Sequence, residues 1–117
     1  MKKIETLKKN YEFKNVLEKG KFYIGNQIIV YILKNNKRVN RIGIAINSKL
    51  AHAFLRNRVK RLIREGYYKY KDQILLGNDI VFIWNKKEDI RKVEFNIIKK
   101  DIEKAFIKEN ILNKEEI

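Results

Sequence analysis

An α+β fold, a two-layer sandwich of helices against one sheet in the order α-β-β-β-α-β-α, is predicted by three features of this sequence. Apolar residues recur at helical spacing in three stretches: Leu7, Tyr11, Phe13, Val16 and Leu17; Leu55, Val59, Leu62 and Ile63; and Phe95, Ile98, Ile102, Ala105 and Phe106. Between them lie β-rich runs at 27–33, 41–46 and 79–84, each too short for an ordinary helix. No proline, repeat or linker divides the 117 residues, a length that supports one core and not two. A single domain over 1–117 is expected, with residues 1–6 and 112–117 frayed.

In order, residues 1–8 are basic and expected to be loosely held. The first helical stripe ends at Gly20, a good C-terminal residue. Residues 21–24 read as a short strand and Gly25-Asn26 as a turn into the strand 27–33. The polar stretch 34–40 reads as a turn, and 41–46 as the partner strand of a hairpin with 27–33. Residues 47–51 cross over into a helix at about 52–70. A loop over 72–78, turning at Gly77-Asn78, leads to a buried strand at 79–84. Residues 85–92 are polar, a final amphipathic helix spans about 95–109, and the tail from Asn113 is acidic.

The charge is concentrated in the middle of the chain. Net charge is +14, and residues 49–71 hold eight cations against Glu65 alone. At about 100° per residue, Leu55, Val59, Leu62, Ile63 and Gly66 share one side of the central helix. Asn57, Lys60, Arg61 and Arg64 take the other, with Arg56 and Arg58 on the flanks. Lysine outnumbers arginine 21 to 7, yet four of the seven arginines lie between Arg56 and Arg64. Arginine's planar donor fork suits phosphates and bases, whereas lysine is a point charge. With one acidic residue in the window, pairing along the helix cannot neutralise this face. Nucleic acid is the expected partner.

Other chemistries find little support. The longest apolar run is residues 28–33, far below the roughly 18 needed to span a bilayer. The basic start lacks a signal peptide's apolar stretch, and no cysteine is present for disulfides or thiolate metal sites. A soluble cytoplasmic protein is expected. His52 is the only histidine, with no nucleophile motif to serve it. Glu88-Asp89 and Glu115-Glu116 read as surface charge, and no carboxylate cluster has metal-ligand spacing. No catalytic residue and no metal ligand is therefore expected in the chain itself. The competing readings are a stand-alone module that puts the helix into a groove, a protein-only nuclease, and a membrane-surface helix. The last conflicts with a sandwich that needs the apolar side for its core.

The run Arg41-Ile42-Gly43-Ile44-Ala45-Ile46-Asn47-Ser48-Lys49, then Arg56-Asn57-Arg58-Val59-Lys60-Arg61 after a short gap, resembles the signature of the bacterial ribonuclease P protein component. A Leu-Lys-Lys-Asn start at Leu7, with Phe13, Gly20, Tyr31 and the terminal helix, agrees in order, so the resemblance covers nearly the whole chain. It implies an RNA-binding domain with a left-handed crossover into the basic helix, against the usual right-handed rule. It implies removal of the 5′ leader from precursor tRNA, with hydrolysis carried out by a catalytic RNA subunit and the magnesium that RNA holds, and with no obligate protein partner. By the same resemblance Arg56, Asn57, Arg58, Lys60, Arg61 and Arg64 face the RNA subunit. Phe13, Leu17, Tyr31, Lys49 and Lys86 match positions lining a cleft for the single-stranded leader. The sequence departs from the pattern at Leu17, where many relatives carry an aromatic, at Asn47-Ser48-Lys49, which has one cation fewer than Ser-Lys-Lys, and at Ala51, where glycine is usual.

Overall fold

The computed structural model describes residues 4–112. Its strands are β1 (Glu5–Thr6), β2 (Lys21–Ile24), β3 (Ile28–Lys34), β4 (Arg41–Ala45) and β5 (Asn78–Trp84). Its helices are α1 (Asn10–Lys19), α2 (Ala53–Tyr68) and α3 (Phe95–Lys108), with a 3₁₀ turn at Ile90–Lys92. The strands make one sheet in the order β1-β4-β5-β3-β2.

The helix positions follow the spacing of apolar residues. Val59, Ile63, Gly66 and Tyr67 of α2 are buried, as are Ile98, Ile102, Ala105 and Phe106 of α3. Both helices pack on Ile28, Val30 and Ile32 of β3 and on Ile80, Phe82 and Trp84 of β5, forming the main core and the expected α-β sandwich. The alternate residues point the other way. There α1 forms a partial further layer, with Val16 buried against Val81 and Leu7, and Phe13, Tyr31, Leu33 and Ile83 around them.

The expected hairpin of 27–33 with 41–46 does not form. β5 lies between the two strands, antiparallel to β3 and parallel to β4. The cause is depth: every β5 residue from Asn78 to Phe82 is buried, so this strand takes the centre of the sheet. The stretch 34–40 is instead a clasp on the start of β5, too long for a tight hairpin loop. Asn35 N–H donates to the Gly77 carbonyl at 2.9 Å, and Asn78 N–H donates to Asn40 Oδ1 at 2.9 Å. The β4–α2–β5 connection, joining two parallel neighbours, is the crossover into the basic helix.

Two chain ends also differ from expectation. Residues 4–6 are not frayed: β1 runs parallel to β4, and Leu7 N–H continues the ladder to the Ile42 carbonyl at 2.8 Å. Two residues are too few to show a strand period. Leu112 bridges Ile74 in place of fraying. Residues 1–3 and 113–117, including the acidic tail, lie outside the described residues.

Arg41 ties three elements together. Its Nε and Nη2 donate to the two carboxylate oxygens of Asp79 at 2.9 and 2.7 Å, and its Nη1 donates to Glu12 Oε2 at 2.8 Å. The other Glu12 oxygen accepts the backbone N–H groups of Lys8 and Lys9, both at 2.9 Å, at the start of α1. The Lys9 hydrogen bond, then the Lys8 one and the charge of Arg41, hold the Glu12 carboxyl below its ordinary value of 4.5. A carboxyl lowered in the fold contributes stability in full above its unfolded value, and that contribution is lost as pH falls through the folded value. Acid unfolding followed by circular dichroism should therefore begin below about pH 4.5, and Glu12→Gln should flatten that dependence. Equal acid profiles for the two proteins would remove Glu12 from this role.

Candidate nucleic-acid interface

The sheet separates two surfaces. On the outer side of α2, Asn57, Arg58, Arg61 and Arg64 are exposed, while Arg56 and Lys60 are half-buried. Asn57, Arg61 and Arg64 follow one line along the helix, spanning about 10 Å at 1.5 Å per residue. Among the described residues no ion pair involves any cation of α2. The helix dipole does not account for them either, because α2 has no acid in its first turn and no base in its last. Among these cations and the described residues, Arg56 alone is engaged internally: its Nη1 donates to the Ala51 carbonyl at 2.6 Å, bracing the loop that enters the helix. A guanidinium has five donors, so its remaining N–H groups stay available. His52 precedes the helix with an extended backbone and makes no side-chain cap.

The second surface is the sheet face beside α1. Strand register lines up Phe22, Tyr31, Val81 and Gly43 in one row, and Ile24, Ile29, Ile83 and Ala45 in the next. The Phe13 ring lies directly over Gly43: a Cβ there would stand 2.4 Å from Phe13 Cε2, so glycine is what lets α1 sit this close. Phe13 and Tyr31 are half-buried, and Leu17 is 38% exposed on α1. Lys49 follows β4 and Lys86 follows β5; these strands are parallel, so both exposed lysines stand at the same end of the sheet. Asn85 fixes the second loop there, its N–H donating to the Gln27 carbonyl at 2.8 Å and its Nδ2 to the Gly25 carbonyl at 3.1 Å. The arrangement is an apolar, aromatic floor with cations at one end. The six residues expected on the helix are therefore together, and the five expected in the cleft share the opposite face or its rim.

Two exposed aromatics escaped the sequence reading. Phe22 on β2 is 50% exposed and stands against Tyr31 with ring centroids 5.6 Å apart. The alternation in Lys21-Phe22-Tyr23-Ile24 was its only signal, and four residues do not say which side faces the core. Phe54, 85% exposed at the start of α2, borders a groove of about 850 Å³ between that helix end and residues 88–91. Asp89 beside it pairs with Arg91, whose side-chain hydrogen bond lowers the Asp89 pKa. Among the described residues no group of three His, Cys, Asp or Glu side chains could hold a metal ion, and no described helix is long and apolar enough to cross a membrane.

Comparison with known proteins adds to this geometry. A family model described as Ribonuclease P matches residues 1–110. The chain is 38% identical over 109 residues to the ribonuclease P protein component of Clostridium botulinum, covering 92% of this chain and 91% of that one. Among solved structures it resembles the RNase P protein of Staphylococcus aureus, with TM-score 0.79 and 30% identity over 95% of this chain and 100% of the other. It also resembles that of Thermotoga maritima, with TM-score 0.74 and 30% identity over 86% and 93%.

Proposed function

This chain belongs to the ribonuclease P protein family, and on that premise we propose that it assists a catalytic RNA in removing the 5′ leader of precursor tRNA in the cytoplasm. The observation that carries the reading is the pair of surfaces on opposite sides of one sheet, which lets one small protein touch two RNAs at once. The outer face of α2, with Arg56, Asn57, Arg58, Lys60, Arg61 and Arg64, grips the RNA subunit. The cleft of Phe13, Leu17, Tyr31, Lys49 and Lys86 holds the single-stranded leader, its rings giving stacking surfaces and its lysines meeting phosphates. Two polyanions repel each other, and a chain of net charge +14 between them lowers that repulsion. Magnesium would be held by the RNA subunit and would assist hydrolysis there; this chain contributes binding and orientation, without an obligate protein partner or a membrane.

The test is cleavage of a precursor tRNA at low magnesium by a bacterial ribonuclease P RNA, with and without this protein. The protein alone should be inert, and its addition should restore cleavage at the mature 5′ end. Binding of precursor should weaken with salt by about 0.7 in log K per log unit for each single-strand phosphate neutralised. Binding of duplex without rescue of cleavage would make it a generic basic module, and cleavage by protein alone would make it a nuclease.

A further inference from the structure

We propose that Phe22 is a second nucleobase platform in the cleft, stacking an unpaired base of the leader next to the base held on Tyr31. This rests on the reading of the cleft as the leader site. β2 is the edge strand of the sheet, paired on one side only, with β3. Its side chains alternate: Tyr23 packs toward the main core, whereas Phe22 and Ile24 face the α1 side and are 50% and 61% exposed. Phe22 is not part of the apolar cluster that α1 covers. Among the described residues its one ring contact is Tyr31, at 5.6 Å between centroids and 36° between planes. Such a pair supports the sheet edge, yet it leaves half of a large aromatic side chain in water, where a threonine would also suit the strand.

Leu17, on the α1 side of the cleft, is exposed but has no π face. Beyond Phe13, the aromatic surface therefore continues from Tyr31 outward to the sheet edge. Successive rings on which bases stack are what sequence-tolerant binding of a single strand uses. In this chain the leader path accordingly crosses Tyr31 and leaves over β2.

Affinities of holoenzyme reconstituted with a bacterial ribonuclease P RNA, for a precursor tRNA with an unpaired leader and for mature tRNA, test this. Phe22→Ala should weaken precursor binding about 5- to 140-fold, the loss of one base stack, with mature tRNA unchanged. Phe22→Tyr should bind as wild type. Phe22→Leu keeps an apolar side chain and a folded edge, and should bind as weakly as Phe22→Ala. Wild-type affinity in Phe22→Leu, or an equal loss for mature tRNA, would overturn the stacking role. Unaltered precursor binding in both Phe22→Ala and Phe22→Leu, with a wild type that favours precursor over mature tRNA, would overturn Phe22 alone. A wild type that binds both RNAs equally would overturn the leader reading as well.

Discussion

Replacing Arg58, Arg61 and Arg64 together with alanine should lower affinity for a ribonuclease P RNA subunit by about 100-fold, at about 1 kcal/mol for each exposed charge-assisted contact. The slope of log K against log salt should fall by about two to three, since each lost phosphate contact releases one counterion fewer. All three side chains are exposed and none is ion-paired among the described residues, so thermal stability should hardly move. Replacing Arg58 and Arg61 with lysine separates charge from geometry. It should keep the salt slope yet weaken binding several-fold, about 1 kcal/mol, because an ammonium cannot fork onto a phosphate. Full affinity in the lysine variant would reduce α2 to a cation patch, and full affinity in the alanine variant would move the RNA contact to another surface.

The largest stability loss is expected at Asp101. This α3 carboxylate is 2% exposed and accepts the backbone N–H groups of Asn26, Gln27 and Ile28 at 2.9, 2.8 and 3.1 Å. Those donors belong to the turn from β2 into β3, and Gly25 is pressed so close that a Cβ would lie 2.4 Å from Asp101 Cγ. Gln27 completes the clamp, its Nε2 donating to the Lys92 carbonyl and its Oε1 accepting the Glu94 N–H. Asp101→Ala strands the buried N–H groups of Gln27 and Ile28, though that of exposed Asn26 can turn to water, a loss of about 3–5 kcal/mol. Against a total of about 5–15 kcal/mol, that is a large fraction. Urea unfolding should show a midpoint far below wild type, with Asp101→Asn in between because its amide keeps one acceptor. A midpoint for Asp101→Ala close to wild type would mean that the turn is held elsewhere. Because Phe22 sits on the strand leading into this turn, Asp101→Ala should also weaken precursor binding.

Helical segments were the most legible part of this chain. Four and five apolar residues at a 3.6 spacing placed α2 near 52–70 and α3 near 95–109, against the observed Ala53–Tyr68 and Phe95–Lys108. Strand identity was legible too, from the Ile- and Val-rich runs. Strand neighbourhood was not, because which strand lies at the centre depends on burial of both faces, and in sequence β3 is as apolar as β5. Within the motif Arg41 to Lys49, Arg41 turned out to hold Asp79 and Glu12, a role that needs three distant elements and leaves no local trace. The cationic face of α2 could be drawn from helical geometry alone. The cleft could not: whether Phe13, Tyr31 or Phe22 offers a ring to solvent depends on where α1 ends over the sheet.

The central strand is also the last strand to be synthesised. β3 with its partner β2, and β4 with its partner β1, leave the ribosome well before residues 78–84, and nothing joins the two pairs until β5 slides between them. The basic helix is made in that interval, when its apolar side has no sheet to rest on. The nascent protein thus carries a cationic amphipathic segment ahead of any fold that can orient it. A fragment ending before Asn78 lacks the central strand and α3, and should remain an unstructured polycation.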